Sequence, residues 1–291
     1  MVDWTTAQDW LAWSFSPSIS AILLTLFLSL ALPLSIHAYL YRQRASSVTP
    51  SFLLLGPTGA GKTSLQTLFE RGNATPTHTS QSPATVTCAL PRDVTAASSK
   101  YRSTNDPSAK TERKLHLIDT PGHGKLRHHA FSALTAPALS GLIFVVDSAA
   151  LSSANGLTEA ATYLHDLLLA LQKRHTSAKT SKGPKTLNVL VAANKQDLFT
   201  ALPAQLVRKN LEREITKVRD TRAKGLLDSG VGGDEDEEER EWLGEGGEGA
   251  FEFRQMEECG VEVQVVGGNV RAEGDEAPHV QNWWAWVAEN M

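Results

Sequence analysis

The octapeptide Gly56-Pro57-Thr58-Gly59-Ala60-Gly61-Lys62-Thr63 constrains this chain more than any other stretch. It fits G-x-x-x-x-G-K-[S/T], in which glycines let backbone N–H groups turn inward around phosphate. The lysine then reaches the β- and γ-phosphates, and the hydroxyl that follows takes Mg²⁺. The context is the one such a cradle needs. Ser51-Phe-Leu-Leu-Leu55 reads as a short buried strand running into Gly56, and Thr63-Ser64-Leu-Gln-Thr-Leu-Phe69 as the helix whose N-terminus faces the phosphate.

Any nucleoside triphosphate satisfies that cradle; a second motif discriminates. Leu187-Asn-Val-Leu-Val-Ala-Ala193 is a β-rich run that delivers Asn194-Lys195-Gln196-Asp197 at its carboxyl end, where ligands bind in open α/β sheets. A carboxylate at Asp197 accepts two hydrogen bonds from the N1–H and exocyclic amine edge of guanine, which adenine cannot offer. The pair of motifs therefore specifies GTP or GDP with Mg²⁺. A third element lies between them, the alternating strand Lys114-Leu-His-Leu-Ile118 ending in Asp119-Thr120-Pro121-Gly122-His123. Asp119 is the expected Mg²⁺ carboxylate, acting directly or through water, and the Gly122 amide is placed to sense a γ-phosphate. His123 stands where many GTPases carry a water-orienting glutamine, which leaves two readings, a catalytic residue or a plain switch-loop histidine. The hydroxyl that closes over Mg²⁺ belongs to Thr75–Pro83; spacing from Lys62 favours Thr79, with Thr77 and Ser80 behind it.

The remaining periodic segments complete a sheet. Gly141–Asp147 reads as a buried strand, Leu157–Arg174 and Leu202–Lys224 as amphipathic helices, and Gly260–Val266 as a last alternating strand before Gly267-Gly268-Asn269. Val280–Asn290 is a terminal helix whose Trp283, Trp284 and Trp286 pack on the sheet, and Asp147 is expected to cap the turn after its strand. The fold class is α/β, a P-loop NTPase of the small-GTPase kind. It has a mostly parallel sheet with helices on both faces, and one N-terminal transmembrane helix precedes it.

That anchor is read from Ser18 to about Tyr41, a stretch apolar all round and free of formal charge apart from His37. No Lys or Arg precedes it, whereas Arg42 and Arg44 follow at once, so residues 1–17 are expected to be lumenal and the rest cytosolic. A linker at 42–50 leads to a GTPase domain at 51–291. Within it, about 228–250 is expected to be a solvated acidic, Gly-rich insertion around Asp234–Glu241, and Arg92–Arg113 and His175–Lys185 to be polar surface loops. Two cysteines without metal-like spacing fit a reducing compartment. A net charge of −4 argues against a direct nucleic-acid surface.

An N-terminal anchor, the cradle, Asp119-Thr-Pro-Gly-His123, Phe144-Val-Val-Asp-Ser-Ala-Ala150, Asn194-Lys-Gln-Asp197 and Phe251-Glu-Phe253 occur together here. In that combination the chain resembles the family of beta subunits of the signal recognition particle receptor, relatives of the Arf and Sar GTPases. The resemblance implies a single-pass protein of the endoplasmic reticulum membrane that holds the receptor's alpha subunit in a GTP-dependent way for cotranslational targeting. One departure is Gly267-Gly268, where the family carries a Ser-Ala type of loop against the guanine O6; backbone N–H groups are expected to donate there instead. Two alternatives remain at this level, an Arf- or Sar-type trafficking GTPase and a structural anchor with constitutively bound nucleotide.

Overall fold

The computed structural model describes residues 19–44, 49–91, 94, 113–135, 138–176, 186–228, 243–244, 249–271 and 278–291. The chain divides into two units, Met1–Val48 and Thr49–Met291. In the first, helix α1 (Ile19–Arg44) runs for 26 residues with Pro33 inside it. The leucines from Leu23 to Leu34 and Phe27 are at least half exposed, and Thr25, Ser29 and Ser35 return their hydroxyls to carbonyls three residues back. Among the described residues no helix is long and apolar enough to cross a membrane.

The second unit is built on β1 (Ser51–Leu55), α2 (Lys62–Arg71), β2 (Ala84–Ala89), β3 (Lys114–Asp119), α3 (His128–Ala133) and β4 (Leu139–Asp147), followed by α4 (Ala154–Thr176), β5 (Asn188–Asn194), α5 (Ala204–Asp228), β6 (Val263–Gly267) and α6 (Gln281–Glu289). Short 3₁₀ turns at Gly124–Leu126, Ala150–Ser152 and Phe253–Cys259 join them. The six strands lie in the order β2-β3-β1-β4-β5-β6. All pair in parallel except β2, which runs antiparallel to β3 at one edge. Every parallel pair requires a crossover, and the crossovers put helices on both faces.

Strand residues alternate between two cores, since successive side chains leave a strand on opposite sides. Leu53, Leu55, Leu142, Phe144, Val189 and Val191 face α4 and α5. Phe52, Leu54, Leu117, Ile143, Val145 and Leu190 face α2 and α6. The tryptophans behave as core: Trp283 is fully buried, Trp286 meets Phe52 edge-on, and Trp284 stacks on Phe69 of α2 with centroids 3.8 Å apart.

The sequence reading placed β1 as found and the other parallel strands to within three residues at either end, but left out β2 and α3. In the acidic insertion, Leu243 is buried against α5, and Arg219 donates to the carbonyls of Leu243 and Gly249. That part of the expected solvated loop is therefore pinned; 229–242 and 245–248 lie outside the described residues, as does nearly all of Arg92–Arg113.

Candidate functional site: a nucleotide cleft at the carboxyl ends of the strands

Parallel strands end side by side, so Leu55, Asp119, Asp147, Asn194 and Gly267 open onto one rim, where a cleft of about 790 Å³ forms. Its floor is the loop Gly56–Gly61. Gly56 has φ +134°, and a Cβ there would sit 2.1 Å from the Val145 carbonyl oxygen. Gly61 has φ +101°, and a Cβ there would strike the Asn194 amide nitrogen at 2.3 Å. Only glycine fits either position.

Lys62 crosses the loop from α2 and donates from Nζ to the Gly56 and Pro57 carbonyls at 2.9 and 2.8 Å. Burial lowers its pKa to about 8, with Asp119 and Glu159 raising it and Arg127 lowering it further. A buried ammonium of this kind gains when a phosphate comes within reach. Thr63 Oγ1 donates to Asp119 Oδ2 at 2.7 Å. Burial pushes the Asp119 carboxyl up, against the opposing pull of Thr63, Lys62 and Ser80, and its Oδ1 is buried without a full hydrogen bond. A half-satisfied carboxylate beside a hydroxyl, under a phosphate loop, suits a hard cation that takes oxygen ligands.

The base side is held by Asn194, which is buried. Its Nδ2 donates to the Ala60 carbonyl at 2.8 Å, and its Oδ1 accepts from the Val270 amide at 3.0 Å, so one side chain joins the phosphate loop to the loop after β6. Lys195 takes φ +63° and pairs with Asp147 Oδ2. Asp147 Oδ1 also accepts the Ala149 and Ala150 amides at 3.0 Å, the capping role expected of it. Gln196 ties the segment to Ser148 and the Leu202 carbonyl, and Asp197 is left lining the cleft.

Thr58, Gly59, Gly61, Lys62, Thr63 and Ser64 line the phosphate end, opposite Gly122 and His123. A Cβ on Gly122 would come within 2.5 Å of Lys62 Nζ and 2.7 Å of the Gly56 carbonyl oxygen, so this residue is pressed against the cradle. His123 is exposed, and its Nδ1 accepts the Lys125 amide at 3.3 Å, capping a turn. The competing hydroxyls Thr77, Thr79 and Ser80 all line the cleft; Thr77 is paired with Ser64 Oγ at 3.0 Å, Ser80 hydrogen-bonds to Asp119, and Thr79 is exposed.

Gly267 and Gly268 do not line the cleft; Val270 and Arg271 do. The reason is the sheet itself. The Gly268 amide donates to Ala193 and its carbonyl accepts from Gln196, so its backbone groups are spent extending the β5–β6 pairing. The loop reaches the base edge only two residues later. Arg271, which the sequence reading missed, also donates to the Thr75 carbonyl at 2.9 Å, bridging the base loop to the Thr75–Pro83 segment.

The family model for the signal recognition particle receptor beta subunit matches residues 47–261. The chain belongs to this family. Its relatives include the yeast Saccharomyces cerevisiae beta subunit, 35% identical over 63% of this chain and 67% of that protein, and the human one, 34% identical over 65% and 60%. Among solved structures, the Chaetomium thermophilum beta subunit with GTP in complex with SRX covers 83% of this chain and all of that one, at 38% identity and a TM-score of 0.66. The GDP form from the same organism matches at 39% identity, 84% and 100% coverage, and a TM-score of 0.60.

Proposed function

We propose that this chain is a GTP-switched subunit of a receptor for the signal recognition particle. It docks the receptor's alpha subunit while α1 holds it in the endoplasmic reticulum membrane, with a single pass and the N-terminus lumenal. The carrying observation is Asn194, one buried amide that fastens the phosphate cradle to the base-reading loop, so that the cleft is set for a complete guanine nucleotide. Asp197 would accept from the guanine edge, Lys62 and the loop amides would hold the phosphates, and Thr63, Thr79 and Asp119 would hold Mg²⁺. The cation would neutralise phosphate charge; orientation and selection are the work of the protein groups.

The anchor rests on the sequence, in which the run from Ser18 to Leu40 is apolar throughout, with no formal charge apart from His37, and of the length a hydrocarbon core requires. A helix exposing leucines on all sides suits lipid better than water. An anchor of that kind does not leave the membrane when nucleotide changes, which favours a docking switch over an Arf- or Sar-type coat cycle. GTP then has to act through the segments near Thr79 and Gly122, the parts a γ-phosphate can order. Intrinsic hydrolysis by the isolated chain is expected to be slow, because no arginine finger is evident in it.

The test is binding of the alpha subunit's N-terminal domain to the purified chain loaded with a non-hydrolysable GTP analogue or with GDP. Binding confined to the GTP form is expected. Equal affinity for both loaded forms would overturn the gating, because a ligand shifts a switch only through its differential affinity for the two states.

A further inference from the structure

The segment after Gly122 is packed on the domain by Ala130, Phe131 and Leu134, and is held besides by an arginine that the nucleotide site does not account for. Arg127 lies at the junction of the Gly124–Leu126 turn and α3, five residues past Gly122. Its guanidinium carbon sits 4.2 Å from the ring centroid of Tyr163 on α4, and its Nη2 is 3.4 Å from Glu159 Oε1, one turn earlier on that helix. The side chain is largely buried, and Nε is buried without a hydrogen bond. Such an arginine is held by its flat face and one carboxylate, not by a full set of partners, which makes the contact reversible.

Tyr163 extends the chain of contacts inward. It is fully buried, edge-on to Phe144 of β4 at 5.4 Å and to Phe131 of α3 at 6.4 Å. Its hydroxyl is buried without a full hydrogen bond, close to the Thr120 hydroxyl and the Gly56 backbone. Thr120 in turn donates to the Leu54 carbonyl at 2.7 Å, at the root of the cradle. One ring therefore touches the Gly122–Ala133 segment on one side and the phosphate loop on the other. Arg127 is also felt at Lys62, where its positive charge disfavours the ammonium and the negative charge of Glu159 favours it.

We propose that Arg127 is the positioning residue of this switch: docked between the Tyr163 ring and Glu159, it holds Gly122 and His123 against the cradle and adds positive charge at the phosphate end. This rests on the cleft's being a guanine-nucleotide site. GTP brings more negative charge than GDP to the end of the cleft where Gly122 sits. The docked arrangement accordingly favours GTP over GDP, and by reciprocity GTP favours docking. Arg127 is not among the residues lining the cleft, so its effect lies in the ratio of the two affinities.

The experiment uses the full chain in detergent micelles and measures dissociation constants for a non-hydrolysable GTP analogue and for GDP, with a thermal melt of each variant. Arg127→Ala should lower the preference for the GTP analogue over GDP by about tenfold, within the usual span of allosteric coupling, while GDP affinity changes little. Arg127→Lys keeps the charge but loses the flat stacking face, so it should restore only part of the preference. Glu159 is half exposed, so Glu159→Gln should still fold, and its direct field at Lys62, weakened by solvent, would if anything raise the preference when removed. That variant should lower the preference in the same direction by less, and add nothing in an Arg127→Ala background. Equal loss of both nucleotides in Arg127→Ala, or an unchanged ratio in Glu159→Gln, overturns the proposal. A wild-type chain that binds neither nucleotide would instead refute the nucleotide site itself.

Discussion

Removing Asn194 should do more harm than its size suggests, because its two hydrogen bonds end on backbone groups with no other route to satisfaction. The Ala60 carbonyl and the Val270 amide belong to residues that are 1% and 2% exposed. Asn194→Ala strands both, and each orphaned buried group costs about 1–3 kcal/mol. Water entering the vacated space recovers part of this, which leaves a loss of about 3 kcal/mol. For a domain of this size each kcal/mol lowers the melting temperature by roughly 2–4 °C, so a fall of about 6–12 °C follows. Asn194→Asp separates polarity from volume. The aspartate can still accept from Val270 but turns a second oxygen on the Ala60 carbonyl, so the fall should be at least as large although the side chain is nearly isosteric. The assay is a tryptophan-fluorescence melt of the purified chain at neutral pH, repeated with GDP, whose stabilising increment should shrink in both variants. An Asn194→Asp protein that melts with the wild type, or a fall below about 2 °C for Asn194→Ala, would refute the strut.

Two further outcomes are expected. Asp197→Asn should weaken GTP and admit XTP, since an amide donates to the xanthine 2-oxo group where the carboxylate accepted from guanine; competition binding reads this, and no gain for XTP would remove Asp197 from the base site. An acceptor glycosylation site placed before Trp4 should be modified in microsomes and one after Met291 should not, and the reverse pattern would invert the orientation assigned to α1.

What the sequence made legible follows its periodicity. Strands buried on both faces read as unbroken apolar runs, and β1, β4 and β5 were found that way. Edge strand β2 escaped because Ala84-Thr-Val-Thr-Cys-Ala89 is mostly exposed and sits among hydroxyl-rich loop residues, so little distinguishes it from its surroundings. Helix α3, at six residues, is too short to show a period. The nucleotide motifs put Lys62, Thr63, Gly122 and Asp197 on the lining of the cleft, with Asp119 buried behind Thr63, because their spacing from strand ends is fixed by the fold. Val270 and Arg271 carry no such signature; only the pairing that consumes Gly268 reveals how far the loop must travel. The Arg127–Tyr163 stack joins positions far apart in sequence, and neither residue type announces the other.

Helix α6 bears on how this protein can be shortened. The family match stops at Val261, yet the stretch beyond it includes β6, the Val270 amide that Asn194 requires, and the aromatic lid over Phe52 and Phe69. The Asn290 side chain even accepts from Asn188 at the start of β5, 2.6 Å away. A truncation at the family boundary would leave every recognisable nucleotide motif in place and still expose β5 as a raw edge, prone to pairing with another chain. For this molecule, an intact set of signatures is no guide to where the folding unit ends.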